Sequence, residues 1–285
     1  MSKIGLALGG GGARGLAHIA VLEAMDGAGL PPGRIAGTSM GAIMGALYAS
    51  GISPARMRRR VLEHLITDGD RLLEILHKRR HLVRWVGALL PELRGRGLIH
   101  ADRLLEMIMG DVLKLAFEDL EVPLTVVACD YWTGEQVLFD SGPLAPAVKA
   151  SMSVPGVFPP VDREGRVLVD GGLVNQVPYD LLQGECRPVV AVDVGPAPLP
   201  GRSESPGMLD AIAGAFDIVQ NGLLEMRLAE SPPDVLVRPR FEEVGLLDFH
   251  RAEDVLELAR EPAARLVELL MEKPDVRERL EGGRA

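Results

Sequence analysis

Cysteine is nearly absent from this 285-residue chain, which carries only Cys129 and Cys186. Two are too few for a disulfide framework, and a reducing compartment is the natural expectation. Positive charge is also in deficit. The 31 Lys and Arg are outnumbered by 40 Asp and Glu, for a formal charge of -9, which argues against nucleic acid as a partner and against attraction of the whole surface to anionic lipid. No repeat or low-complexity block occurs, and no metal or cofactor is expected. A histidine suited to be a triad base is missing too. His18 lies along an apolar helical stretch, His64, His77 and His81 sit in basic, polar surroundings, and His100 and His250 precede helix starts. The run from Ile35 to Ala55 has no charge and is long enough to suggest a membrane span. Its Thr38, Ser39, Ser50, Ser53, Pro54 and four glycines favour a buried helix instead. Lys3 and the apolar residues after it resemble a signal peptide, but Arg14 interrupts them.

Glycine is abundant, with 33 residues, and two clusters stand out. Gly37-Thr38-Ser39-Met40-Gly41 has the G-x-S-x-G pattern of a nucleophile elbow, a sharp strand-to-helix turn that exposes a serine oxygen. A short strand ending at Ala36 and a helix from Ala42 to Ala49 supply that context. Upstream, Gly9-Gly10-Gly11-Gly12-Ala13-Arg14-Gly15 lies between an apolar strand, Lys3 to Leu8, and a helical pattern from Ala13 to Met25. Backbone N–H groups and the positive helix end gather at such a junction and attract negative charge. A P-loop needs Lys and Ser or Thr after its last glycine, whereas Gly15 is followed by Leu16-Ala17. A dinucleotide site needs an acid at the end of the next strand, where this chain has Gly37-Thr38-Ser39. An oxyanion hole for ester attack by the elbow serine accounts for both clusters at once.

That serine needs a proton acceptor. The best placed acid is Asp170, delivered by Arg166-Val167-Leu168-Val169 and followed by Gly171-Gly172. An ordinary Asp-Gly turn is the bland reading of this segment. Asp130 and Asp193 also follow apolar strands and remain rivals.

Gly10-Gly11-Gly12-Ala13-Arg14-Gly15, Gly37-Thr38-Ser39-Met40-Gly41 and Asp170-Gly171-Gly172, in that order, resemble the patatin-like phospholipase family, in particular its short bacterial members. The likeness extends to Asp130 through Gly134, Ala150 through Pro160 and Asn175 through Pro178, and it covers roughly residues 3 to 195. It implies a Ser–Asp dyad, with Ser39 as nucleophile and Asp170 as base. Gly11 and Gly12 would supply oxyanion N–H groups, with Arg14 beside them, either steadying the loop, attracting a phosphate head group or lying on the surface. The substrate implied is a lipid or other acyl ester, cleaved as by a phospholipase A, lysophospholipase or esterase; transacylase and thioesterase activities share the machinery. The alternative is a non-catalytic or regulatory member that binds a lipid or a protein, which a degenerate nucleophile or acid would favour; neither is seen.

Strands and helices alternate along the chain, which points to one α/β domain over residues 1–285, a three-layer α/β/α sandwich around a mostly parallel sheet. Its motif-bearing core spans about 3–195, with a variable lid or insertion at about 67–97 and a helical C-terminal part at about 207–285. A helix is expected from Pro178, and long amphipathic helices from Met208 to Leu228 and from Ala252 to Met271. Arg56, Arg58, Arg59 and Arg60, followed by the basic and apolar mixture from His77 to Val86, suit either a patch that meets lipid or a solvated helix face. The expected location is cytoplasmic, with peripheral membrane contact through such a patch; the oligomeric state is open.

Overall fold

Short apolar runs bounded by glycine and proline form the strands, and longer stretches with helical spacing form the helices that cover them. The computed structural model describes residues 3–63, 101–196, 208–242 and 244–276. In chain order these hold β1 (Gly5–Leu8), a 3-10 turn (Gly12–Leu16), α1 (Ala17–Gly27), β2 (Arg34–Thr38), α2 (Met40–Ala49) and α3 (Pro54–Val61). Then come α4 (Ala101–Met109), β3 (Leu124–Asp130), β4 (Gln136–Phe139), α5 (Leu144–Ser151), β5 (Val161–Arg163) and β6 (Arg166–Asp170). The last are β7 (Val189–Val192), α6 (Met208–Glu230), β8 (Val235–Val237), α7 (Ala252–Leu258) and α8 (Arg260–Met271). The expected lid at 67–97 lies outside the described residues, as do residues 197–207.

The strands form an eight-stranded sheet in the order β5-β6-β3-β2-β1-β7-β8, with β4 also paired to β3. β3, β2, β1, β7 and β8 run parallel, while β4, β5 and β6 add an antiparallel flank. Side chains alternate across the sheet. Leu6, Leu8, Ile35, Val190 and Val192 face one core with α1, α2, α3, α4, α7 and α8. Ala7, Ala36, Val189 and Ala191 face a thinner second core closed by Val177, Tyr179, Leu182 and Leu224 of α6. The result is the expected three-layer α/β sandwich, with unequal outer layers.

Two expected helices take another form. The segment from Pro178 makes only a 3-10 turn, Tyr179–Leu182. The long C-terminal helix is broken between Leu258 and Arg260, because Pro262 has no N–H to give and its ring crowds the carbonyl four residues back.

Register places the two candidate catalytic residues. β4 runs antiparallel along one edge of β3 from Val126 to Cys129. Val127 therefore faces Thr38 of β2 across its other edge, and Ala128 faces Asp170 of β6 across that same edge. β2 runs parallel to β3 and β6 antiparallel, so the two advance toward each other and stop at neighbouring rungs. Ser39 follows the end of one strand, and Asp170 is the end of the other.

Such a meeting leaves little room. A Cβ at Gly171 would lie 2.2 Å from the Val127 carbonyl oxygen, and one at Gly41, in the first turn of α2, would lie 2.0 Å from that of Leu8. Gly41→Ala is expected to destabilise the protein by about 3 kcal/mol or more through this backbone clash. Gly214→Ala, inside α6 with no atom within 4 Å of the added carbon, should stabilise it by about 0.5–1 kcal/mol. Urea denaturation of the two variants checks the contrast, and equal effects would contradict the packing.

Candidate active site

Ser39 sits at φ 54°, ψ -120° between β2 and α2. A side chain rarely adopts this backbone region, and it persists only where the surroundings enforce it. Here they do. The Ser39 N–H donates to Ser151 Oγ at 2.8 Å, and its carbonyl accepts from Ala42 and Ile43 in the first turn of α2. The preceding Thr38 hydroxyl donates to the Asn175 carbonyl at 2.8 Å. Gly37 and Gly41 flank the turn, Met40 opens the helix, and Gly15 packs against the Met40 side chain.

The glycine-rich loop lies so close to the elbow that a Cβ at Gly10 would be 3.2 Å from the Ser39 Cβ. Gln176 clamps this loop from both sides: its Nε2 donates to the Gly10 carbonyl at 2.6 Å, and its own carbonyl accepts the Gly10 N–H at 3.1 Å. Gly9, Ala13 and Arg14 also spend their N–H groups on protein carbonyls. The N–H groups of Gly11 and Gly12 find no acceptor among the described residues. Arg14 sets the direction of one of them. Its backbone N–H and its Nε both donate to the Gly11 carbonyl, at 3.2 and 3.3 Å. In a planar trans peptide the N–H of Gly12 then points the opposite way. Arg14 is buried and its Nη2 lies 3.5 Å from Asp217 on α6. Of the three roles open to it from sequence, the contacts show loop support.

Asp170 caps the turn that follows it, its Oδ1 accepting from the Gly172 N–H at 2.7 Å. The turn reading and the candidate-acid reading thus describe the same residue. The carboxylate is 2% exposed. Burial pushes its pKa up from 3.8 to about 6, against the pull of the Ser39 hydroxyl and the Gly172 N–H. Ser39 is near enough to act on the carboxylate, but no hydrogen bond of standard geometry joins them, and Oδ2 is buried without a partner. Catalytic hydrogen bonds are often this loose before substrate arrives.

The rival acids have other occupations. Asp130 accepts from the N–H groups of Trp132 and Thr133 and caps the turn into β4. Asp193 holds the Gly195 N–H and pairs with Arg238. His18 is fully buried and donates from Nε2 to the Gly9 carbonyl at 2.7 Å, with burial lowering its pKa to about 4. It is a neutral support for the loop. His250 is exposed on a 3-10 turn, and the other four histidines lie outside the described residues. Both cysteines are buried and free. Of the basic cluster on α3, Arg58 pairs with Glu23, and Arg60 donates to the Ile108 and Met109 carbonyls. Ser151 and Gln176 were not singled out as site residues from sequence, because their roles depend on long-range contacts with Ser39 and Gly10.

Gly12, Ser39 and Met40 line a cavity walled by Ile43, Leu104, Met152, Phe158 and Phe249. Its free space of about 20 Å³ admits about one water. A larger cavity, about 350 Å³, lies between β8 and α8 beside Asp234, Glu272 and Lys273, apart from Ser39. No group of metal-binding side chains is found among the described residues.

Comparison with known proteins places the chain in a family. The family model for patatin-like phospholipase matches residues 6–182, more than half of the chain, and the protein belongs to that family. It is 36% identical over 184 residues to an uncharacterized NTE family protein of Mycobacterium tuberculosis, covering 64% of this chain and 46% of that one. It is 33% identical over 197 residues to patatin-like phospholipase domain-containing protein 6 of Mus musculus, covering 68% of this chain and 14% of the relative. The chain thus spans less than half the length of either. Among solved structures, VipD from Legionella pneumophila shares the fold with a TM-score of 0.53 at 14% identity, covering 94% of this chain and 67% of that one.

The raised pKa has a consequence for stability. Because the folded value is the higher, the native state holds this proton more tightly than the unfolded chain. The stabilising contribution is present below about 3.8 and is lost as the pH rises through about 6. A shift of about two units corresponds to about 3 kcal/mol at neutral pH. Asp170→Asn keeps the Oδ1 acceptor and carries no charge. It should raise the thermal midpoint at pH 8 by several degrees and leave it near wild type at pH 4. Equal midpoints at pH 8 would show that the carboxylate carries no burial cost.

Proposed function

We propose that the protein is a serine hydrolase that cleaves acyl esters of lipids through a Ser39–Asp170 dyad. The observation that carries this reading is the meeting of Ser39, held at a positive φ, with a buried carboxylate whose Oδ2 is unpartnered. Ser39 Oγ attacks the ester carbonyl carbon while its proton passes to Asp170. The negative charge that develops on the carbonyl oxygen is received by the N–H groups of Gly11 and Gly12. Such donors are aimed in advance, and losing one costs about 3 kcal/mol in comparable sites. Collapse of the tetrahedral adduct expels the alcohol, which leaves with the proton from Asp170. Water then repeats the sequence against the acyl-enzyme, releasing the acid and free Ser39.

An aspartate at its ordinary pKa is a weak base for a serine hydroxyl; at about 6 it is stronger and still ionised at neutral pH. The apolar wall from Ile43 to Phe249 suits an acyl chain, and its small free volume requires Met152, Phe158 or their neighbours to move as the chain enters.

Ser39→Ala should lower turnover of a p-nitrophenyl ester by about 10⁴-fold or more with the fold intact, and a fluorophosphonate probe should label Ser39 alone. For wild type, kcat/KM should rise about tenfold per pH unit below about 6 and level off above it, because the base acts only when deprotonated. Wild-type-like turnover by folded Ser39→Ala would sink the enzymatic reading. A rising limb centred well away from 6 would remove Asp170 from its role as base.

A further inference from the structure

The inner face of α6 touches both halves of the site. Asp217 meets Arg14, which holds the Gly11 carbonyl, at 3.5 Å. One turn on, the Gln220 side chain packs against Gly172, whose N–H holds Asp170. A further two turns along, Arg227 donates to the Val174 carbonyl at 3.0 Å. The outer face of the same helix is apolar and is not covered by any of the described residues. Ile218 is 73% exposed, Val219 56%, Leu223 38% and Met226 71%, with exposed Ala215 before them and Gly222 between them. Their spacing is that of one helical stripe. Asp217 is turned inward to Arg14, and charge stands only at the edge of the stripe, where Glu225, 62% exposed, pairs with Arg238 at 2.6 Å.

We propose that this outer face of α6 is the surface on which the protein docks to a lipid layer of zwitterionic, electrically neutral headgroups. The inference rests on the lipid-ester reading above and adds where the substrate layer is met. Three observations select the occupant. The stripe is uncharged in a chain of net charge -9, so it is suited to hydrocarbon and to neutral headgroups, and it has no basic residue to seek anionic lipid. Four exposed side chains on one helix fall well short of the ~800 Å² per partner of a stable protein interface, which disfavours a second copy of the chain. And the helix that carries the stripe contacts the glycine-rich loop and the Asp170 turn with its other face, so a layer seated there is one helix away from the two loops that hold the site. A helix with one apolar face set into the headgroup boundary is a sufficient anchor for reversible binding.

The test is flotation with neutral phosphatidylcholine vesicles. Wild type should float, with little change between low and high salt, since screening acts on charge and not on apolar contact. Ile218→Glu/Met226→Glu should reduce the bound fraction by about tenfold or more, a change of about 1.4 kcal/mol per decade, and lower turnover of vesicle-borne ester in parallel. Its turnover of a short soluble ester should stay within about twofold of wild type, and Ile218→Leu/Met226→Leu should float normally. If circular dichroism shows the Glu pair to be unfolded, Ile218→Ser/Met226→Ser takes its place with the same expectation. Wild type that ignores neutral vesicles, or a folded Glu or Ser pair that floats like wild type, overturns the proposal. So does a wild-type dimer that the Glu pair dissociates without loss of vesicle binding, which would assign the stripe to a second copy. Soluble-ester hydrolysis that survives Ser39→Ala would instead defeat the catalytic reading, and the flotation result would stand apart from it.

Discussion

The site depends on one edge of β3, where β2 and β6 arrive from opposite directions and stop at adjacent rungs opposite Val127 and Ala128. A parallel sheet alone would place the ends of its strands side by side, each at a strand spacing from the next. Opposed strands on a shared edge instead bring two chain ends together in line. The elbow after β2 then needs only one sharp turn to face the carboxylate at the end of β6. The antiparallel flank is therefore the part of the sheet that assembles the serine with the acid, while the parallel part supplies the glycine-rich loop at the end of β1.

Assembly at this point carries strain and burial costs. Ser39 is held in an unfavourable backbone region, and Asp170 is kept ionised at neutral pH with little solvent. Residues from several distant elements hold the surrounding backbone: Ser151 at the end of α5 and Asn175 after the Asp170 turn bond the elbow, and Gln176 and His18 on α1 bond the glycine-rich loop. None of these touches the reacting atoms in the proposed reaction. They fix backbone carbonyls and N–H groups whose positions would otherwise relax, which is the general condition for electrostatic pre-organisation.

α6 has a double character in this arrangement. Leu224 on its inner side completes the thinner core, and Asp217, Gln220 and Arg227 reach from that side to Arg14 behind the glycine-rich loop and to the turn after Asp170. Its outer side leaves isoleucine, valine and methionine in water. Unrelieved exposure of this kind costs solvation free energy in the isolated protein, and contact with a lipid layer would recover it. No helix among the described residues is long and apolar enough to cross a membrane, so contact through a helix face differs from insertion.

The elbow and the glycine-rich loop were legible in the sequence because their constraints are local: a turn of that sharpness excludes side chains at Gly37 and Gly41, and the pattern records the exclusion. Most strands and helices were legible for the same reason, since apolar spacing is written in consecutive residues. The choice among Asp130, Asp170 and Asp193 was not open to this kind of reading from the residues alone, as all three end apolar strands. Pairing brings Asp170 to the rung beside the elbow, while the other two are engaged in a turn and an ion pair. The short turn after Pro178 and the break before Pro262 show local signals limited by packing and by a single missing N–H. The burial of Arg14 against Asp217, the clamp of Gln176 and the support from Ser151 join residues between 112 and 203 positions apart, through contacts that no short pattern encodes. The sequence by itself determined which chemistry was available, because reactive groups and tight turns are properties of a few neighbouring residues; only the tertiary structure decided which acid meets the serine, because that meeting is made by strand register across the whole sheet.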